Sequence, residues 1–341
     1  MVAPDQLPPP IHAPNHAAVQ ACAAAIRQAR ARNAAVILMY GAHLLRNGAA
    51  LLLDRMMQRG WLTHIATNGA GTIHDWEYAW LGASTEGVEE NVAAGTFGTW
   101  EETGRNIHLA LLAGGIRGEG YGVSLGRFIV EDGTTLPNAG ELEARIRSEP
   151  AHPLAGARVE LLRAIRENHL PSGRVHVVHR WTQASILANA FKHNVPATVH
   201  PGIGYDIISC HPMFNGAAIG RAAELDFKLF AGSVNQLDGG VVLSIGSAVM
   251  APQVFEKSLS CVHNIRFEER RAPVRDFSIY VVDLQDGGNW DWSRGEPPKD
   301  NPAYYLRFCK SFSRMGGPMR YVQCDNVAFV HHLLHELRRL A

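Results

Sequence analysis

The chain has 341 residues, 46% of them hydrophobic and 19% charged, and its formal net charge is zero with histidine neutral. A neutral balance leaves no electrostatic footprint for nucleic acid or an anionic membrane. The five cysteines are odd in number, scattered and without a CxxC pair, which argues against a disulfide framework and for reduced thiols in a cytoplasmic protein.

Pro4, Pro8, Pro9, Pro10 and Pro14 forbid a regular helix over Met1 to Asn15, which reads as an extended arm. His16 to Asn33 reads as a helix with Val19, Cys22, Ala23 and Ile26 on one face. The start lacks an apolar signal core, and no run approaches the ~20 apolar residues of a membrane span. A buried strand, Ala35 to Tyr40, then ends in Gly41-Ala42-His43. Helix Ala49 to Arg59 leads to strand Leu62 to Thr67 and a glycine turn, Asn68-Gly69-Ala70-Gly71. Thr72 reads as the N-cap of the next helix, with Asp75 three residues on.

Residues 84 to 105 are rich in Gly, Thr and Glu, as a surface or crevice loop leading into helix Trp100 to Ala113. Residues 131 to 175 read as polar turns around one amphipathic helix, Leu154 to His169, an excursion from the sheet. Strand Val175 to Val178 and helix Thr182 to Lys192 follow. An apolar run at Thr198-Val199 then breaks at Pro201-Gly202 and presents Asp206, His211 and Asn215. Helix Ala217 to Leu237 leads to strand Val241 to Ile245, which ends in Gly246-Ser247. Helix Gln253 to Cys261, strand Phe277 to Leu284, a loop carrying Trp290 and Trp292, strand Met319 to Cys324 and helix Val327 to Leu340 close the chain. Strands alternating with helices predict an α/β fold: a Rossmann-like, mainly parallel sheet with helices on both faces. The expected division is an arm and helix over 1–34 and a single α/β domain over 35–341.

Open α/β sheets bind ligands at strand ends, so the polar groups there are the site candidates. The turn Asn68 to Gly71 can receive phosphates on backbone N–H groups, or be a plain tight turn, because His74 stands where a third glycine of GxGxxG would be. His211 can serve as a general acid or base, with Asp206 orienting it or binding a substrate cation. The plain alternative is a capped turn with a hydrogen-bonded histidine. The 17 histidines include no HxH or HExxH spacing, so no metal is expected. His331, His332 and His335 read as a solvated or interface face of the last helix. Trp290-Asp291-Trp292 reads equally as a stacking platform and as a loop anchored by aromatics. The glutamates from 86 to 102 either solvate their loop or line a polyamine site.

The stretch Ser185-Ile186-Leu187-Ala188-Asn189-Ala190-Phe191-Lys192-His193-Asn194-Val195-Pro196, with the glycine, Asp206, His211 and Asn215 that follow, resembles the deoxyhypusine synthase family. The similarity runs from about residue 35 to 290. It implies the NAD-binding fold of that family and a homotetramer with sites at subunit interfaces. It implies cofactor contacts at Gly41, His43, Asn68, Gly69, Ala70, Gly71, Gly246 and Ser247. It matches His211, Asn215 and Asp206 to the family's active-site histidine, asparagine and turn aspartate, and His74 and Asp75 to its acidic pair. The family's catalytic lysine falls at Met250, which cannot form a Schiff base.

The expectation is therefore an NAD-dependent enzyme. It would take hydride from an amine or amino-acid-like small molecule, with His211, Asp206 and Asn215 catalytic and His74, Asp75 and Trp290 on the substrate. The alternative is a non-catalytic NAD- or amine-binding relative with a regulatory or scaffold role.

Overall fold

The strands are β1 (Val36–Tyr40), β2 (His64–Asn68), β3 (Gly133–Leu136), β4 (Gly173–His176), β5 (Ala197–His200), β6 (Val241–Ile245), β7 (Ser278–Asp283) and β8 (Met319–Gln323), most of them short apolar runs, with β3 and β4 more polar. They are seen in a computed structural model that describes residues 1–84 and 86–340; Thr85 and Ala341 lie outside the described residues. The chain divides into two compact units, one formed by residues 1–71 and 227–341 and the other by residues 72–226.

In the first unit five strands lie in the order β2-β1-β6-β7-β8, and each neighbouring pair is parallel. Every residue of β1 and β6 is buried, so both faces of the sheet are covered there, as a parallel sheet requires. The chain steps from β1 to β2 on one side and takes up β6 on the other, so the strand order reverses between β1 and β6. Tyr40 is level with Ile245 in that pair, which sets Gly41 and Gly246 side by side at the carboxyl ends.

The apolar core of this unit gathers Ile37, Met39, Val242, Phe255, Phe277 and Phe312. Phe255 meets Phe277 edge-on, with ring centroids 6.0 Å apart. Each such side chain contributes about 1.5–3 kcal/mol on full burial. Met250 belongs to the same core and is only 7% exposed. Trp292 is buried and donates Nε1 to Gly287 O, so it anchors the loop after β7. Trp290 is half-buried, donates to Gly295 O and carries the Arg294 guanidinium 5.5 Å above its ring.

The arm turns at Pro4 to Gln6 and runs without helix to His12, where the first helix, Ala13–Ala31, takes over. The last helix, Asn326–Arg339, holds the arm down. His331 Nε2 donates to Gln6 O at 2.9 Å, His332 Nε2 to Pro9 O at 2.6 Å, and Arg338 to Pro4 O at 2.8 Å. This corrects the expectation of a solvated histidine face: His331 and His332 are buried, and His335 is exposed. His331, His332 and Arg338 satisfy the proline-rich arm, whose carbonyls have no helix of their own to bond.

The second unit holds β5 and an antiparallel ribbon of β3 and β4. The stretch expected to be turns around one helix contains this ribbon and two helices, Ala139–Ser148 and Ala155–Glu167. Helix Tyr121–Val130 was not expected, because glycine lowers helix propensity. Packing overrides that cost. A Cβ at Gly122 would stand 2.1 Å from Ala197 O, and one at Gly126 would stand 2.6 Å from Leu187 O. The buried Asp226 carboxylate accepts from Gly122 N at 3.0 Å and Val199 N at 2.7 Å, tying this helix to β5. Burial pushes its pKa up to about 7.

Candidate functional site

In the first unit the candidates lie where parallel strands pass into helices. Gly41 follows β1 and precedes the short helix Ala42–Arg46, which carries His43 at the surface. A Cβ at Gly41 would stand 1.8 Å from Gly246 O, so this residue must be glycine for β1 and β6 to end together. Gly246 has φ +60°, a left-handed conformation that glycine adopts without strain. A side chain there would meet Asn326 Nδ2 at 2.5 Å. Asn326 is 6% exposed, and its Oδ1 has no hydrogen-bond partner among the described residues. A buried acceptor in that state costs about 1–3 kcal/mol unless a ligand or water supplies a donor. Sequence reasoning missed Asn326. Its signal was its place, one residue after the Asp325 cap that starts the last helix.

Asn68 to Gly71 is not a turn. β2 runs through Asn68, and helix Gly69–Leu81 begins at the next residue. Asn68 Oδ1 accepts from Gly71 N at 2.9 Å, so Asn68 is the N-cap and the Thr72 expectation is corrected. Thr72 lies inside the helix, its hydroxyl 3.2 Å from Tyr121 Oη. Gly71 leaves room for Thr67, whose Oγ1 would be 2.2 Å from a Cβ there. Ser247 Oγ accepts from Ala251 N at 3.2 Å, capping helix Met250–Glu268. Three helix starts thus stand at the carboxyl ends of β2, β1 and β6. Helix starts attract anions through their unpaired N–H groups and the dipole.

Further along the same sheet edge is a cleft of about 670 Å³, between Gln323, Cys324 and Asp325 after β8 and Pro9 to His12 of the arm. No local pattern announces it, because residues some 310 positions apart form its two walls.

In the second unit His211 follows the short 3-10 turn Ile207–Cys210 and is 2% exposed. Its Nδ1 accepts from Met213 N at 3.1 Å. The neutral ring therefore carries its proton on Nε2, which points to Glu101 Oε1 at 3.4 Å without a closed hydrogen bond. Burial lowers the His211 pKa, and the Glu101 carboxylate opposes that shift. Glu101 opens a π-helical turn, Glu101–Arg105, a geometry frequent at functional sites. Gly104 in that turn lets the ring approach: a Cβ there would stand 2.7 Å from His211 Cδ2. His108 lies behind, its ring centroid 6.1 Å from that of His211, and its Nε2 donates to Ile208 O at 3.0 Å. Burial lowers its pKa to about 4, so it stays neutral.

The expected partner of His211 was Asp206, but the Asp206 carboxylate turns back to accept from Gly202 N at 2.7 Å. Burial raises its pKa. Asn215 is an N-cap: its Oδ1 accepts from Ala218 N at 2.9 Å and its Nδ2 donates to Glu160 at 2.5 Å. Asp75 is fully buried, accepting from Ser185 Oγ and, at 2.6 Å, from Ile186 N. It holds Ser185, the N-cap of helix Ile186–Lys192, and burial pushes its pKa up to about 7. His74 joins a polar chain. Its Nδ1 donates to Ser84 Oγ at 2.5 Å, and Ser84 donates to Glu77, which Thr103 also reaches at 3.1 Å. The carboxylate facing His211 is thus Glu101, from the glutamate-rich loop.

No family model matches the chain, and no curated protein does. Solved structures with a related trace include AgrE in a ternary complex with ornithine and NAD+, at 13% identity and a TM-score of 0.47, covering 97% of this chain and 34% of AgrE. The chain therefore spans about a third of AgrE's length. A conserved candidate LOR/SDH protein from Methanococcus maripaludis S2 is 15% identical, with a TM-score of 0.45 over 98% of this chain and 74% of that one. A candidate deoxyhypusine synthase from Entamoeba histolytica is 8% identical, with a TM-score of 0.37 over 89% and 74%. Likenesses this distant say nothing about activity.

Proposed function

We propose that the protein is an NAD-dependent enzyme that takes hydride from an amine or amino-acid-like small molecule without a lysine–imine step. The observation that carries the reading is the reversal of strand order between β1 and β6, with Gly41 and Gly246 at its carboxyl end. Open α/β sheets bind ligands at such a switch point. The residues there fit a dinucleotide. Helix starts at Ala42, Gly69 and Met250 suit a pyrophosphate, and the glycines allow backbone approach. The unpaired Asn326 Oδ1 suits a hydroxyl or amine donor of the nucleotide rather than its phosphates. Gly41, His43, Asn68, Gly69, Ala70, Gly71, Gly246 and Ser247 would hold the group. NAD bound there would accept hydride from the carbon that carries the substrate nitrogen.

The second unit carries a candidate acid–base pair of its own. With Nδ1 occupied by Met213 N–H, neutral His211 is a donor at Nε2, not a base. Glu101 would then be the proton acceptor of that pair, and His211 Nε2–H would hold that carboxylate in place. Asp206, Asn215 and Asp75 would support the surrounding turns. His74 would be a substrate contact of the second unit and Trp290 one of the first. The family resemblance further implies a homotetramer with sites at subunit interfaces, and a monomer by sedimentation equilibrium would remove that part.

Met250 favours a second reading, binding without turnover, because the lysine position is filled by a core side chain. Glu101→Gln separates the two. With NAD+ and a panel of diamines and basic amino acids, the enzyme reading predicts NADH formation that falls at least tenfold in the variant while NAD+ still binds. Binding by the wild type with no NADH from any panel member would favour the second reading.

A further inference from the structure

At the amino ends of β6 and β7, opposite the glycine-lined edge of the same unit, lies a cleft of about 490 Å³. Its walls carry Arg32, Arg266, Arg271 and Arg275 against Asp238 and Asp276, an excess of two positive charges. In a chain of zero net charge this is a local departure.

Arg266 builds the floor. It is 3% exposed, and its guanidinium is spent on Asn235, Asp238 Oδ2 at 2.7 Å and Ala272 O at 3.2 Å. The other Asp238 oxygen accepts from Arg275 N at 2.9 Å, so this carboxylate is committed within the wall. The remaining guanidiniums belong to the rim. Among the described residues Arg271 pairs with the exposed Glu269, at 2.8 Å, and Arg275 with its neighbour Asp276, at 3.8 Å. Exposed ion pairs of this kind hold loosely. Arg32 has no ion pair among the described residues and lies over Gly239, where a Cβ would stand 3.6 Å from its Nη1. The placement of Arg32 and Arg266 is accounted for by the ends of helices Ala13–Ala31 and Met250–Glu268, since helix C-termini favour cations. That account does not reach Arg271 or Arg275, which stand in the connection between the second of those helices and β7.

We propose that this cleft binds a compact polyphosphate anion, free or carried by a nucleotide, as a site separate from the switch point. Arginine suits this ligand because its planar fork donates two parallel hydrogen bonds to phosphate oxygens. Three rim guanidiniums around one opening can converge on a diphosphate that none of them holds alone. The proposal does not depend on the dinucleotide reading.

The test is calorimetric titration of the whole protein with inorganic pyrophosphate and with ADP, in buffers of matched ionic strength. The variants are Arg32→Ala/Arg271→Ala and, as a control for lost surface charge, Arg147→Ala/Arg163→Ala. The expected result is saturable binding of at least one anion, weakened at least tenfold by the cleft pair and unchanged by the control pair. Tighter ADP identifies a nucleotide as carrier, and tighter pyrophosphate identifies the free anion. Absence of saturable binding, or equal weakening by both pairs, would overturn the proposal. Both pairs are exposed, and matched unfolding curves verify that the variants are folded.

Discussion

Gly104→Ala places one methyl group against the ring on which the proposed proton chemistry turns. The new Cβ would stand 2.7, 2.8 and 2.9 Å from Cδ2, Cγ and Cβ of His211, whereas ordinary contact begins at 3.4 Å. The ring must therefore withdraw by about 0.7 Å. Its Nδ1 bond from Met213 N is 3.1 Å long, and stretching it by that amount takes it beyond hydrogen-bond range. Overpacking costs about 1–3 kcal/mol. The lost bond adds about 1 kcal/mol. The expected destabilisation is about 2–4 kcal/mol, read by urea unfolding with fluorescence and circular dichroism. Gly220→Ala is the matched control. It lies in helix Gly216–Val234 with nothing within 4 Å of its Cβ, so it should stabilise by about 0.5–1 kcal/mol. If Gly104→Ala is as stable as the wild type and leaves the His211 imidazole resonances unmoved, the packing of the π-helical turn on His211 is wrong.

The same structure yields further expectations. Asp75 has its pKa raised to about 7 by burial, so its folded form prefers the proton. That preference favours folding fully below pH 3.8 and is lost as pH rises towards 7. Asp75→Asn should therefore gain stability relative to the wild type between pH 4 and pH 8 in urea unfolding, and a difference independent of pH would contradict this. His108, lowered to about 4, acts in the opposite sense: it favours folding above the ordinary histidine value of 6.5 and loses that contribution as pH falls towards 4. Removing residues 1–11 takes away the acceptors of His331, His332 and Arg338 and should cost about 2–3 kcal/mol, at roughly 1 kcal/mol for each exchange with water. Unchanged stability on truncation would mean that the arm is not held by those bonds.

Much of the sheet was legible because buried strands are continuous apolar runs. Val36–Tyr40 and Val241–Ile245 contain no polar residue except Ser244, and glycine closes each. The helix Tyr121–Val130 was illegible because its glycines answer to backbone atoms of other elements, which composition cannot show. At the site, residue types were legible and partnerships were not. Asp206, His211 and Asn215 lie within ten positions of one another, yet each bonds elsewhere, to Gly202, Met213 and Ala218. The carboxylate beside His211 comes from 110 positions upstream, in a loop whose glutamates look alike in sequence. Gly104 distinguishes Glu101 from the others, because it alone leaves space for the ring.

The switch point between β1 and β6 is proposed to hold NAD. Calorimetric titration with NAD+ of the wild type and of Asn326→Ala tests it most directly. Saturable binding by the wild type is expected, weakened about tenfold when the buried acceptor is removed. Saturable binding that Asn326→Ala leaves unchanged would contradict the role of that residue alone. A wild type with no saturable heat and no thermal shift at millimolar NAD+ would contradict the claim itself.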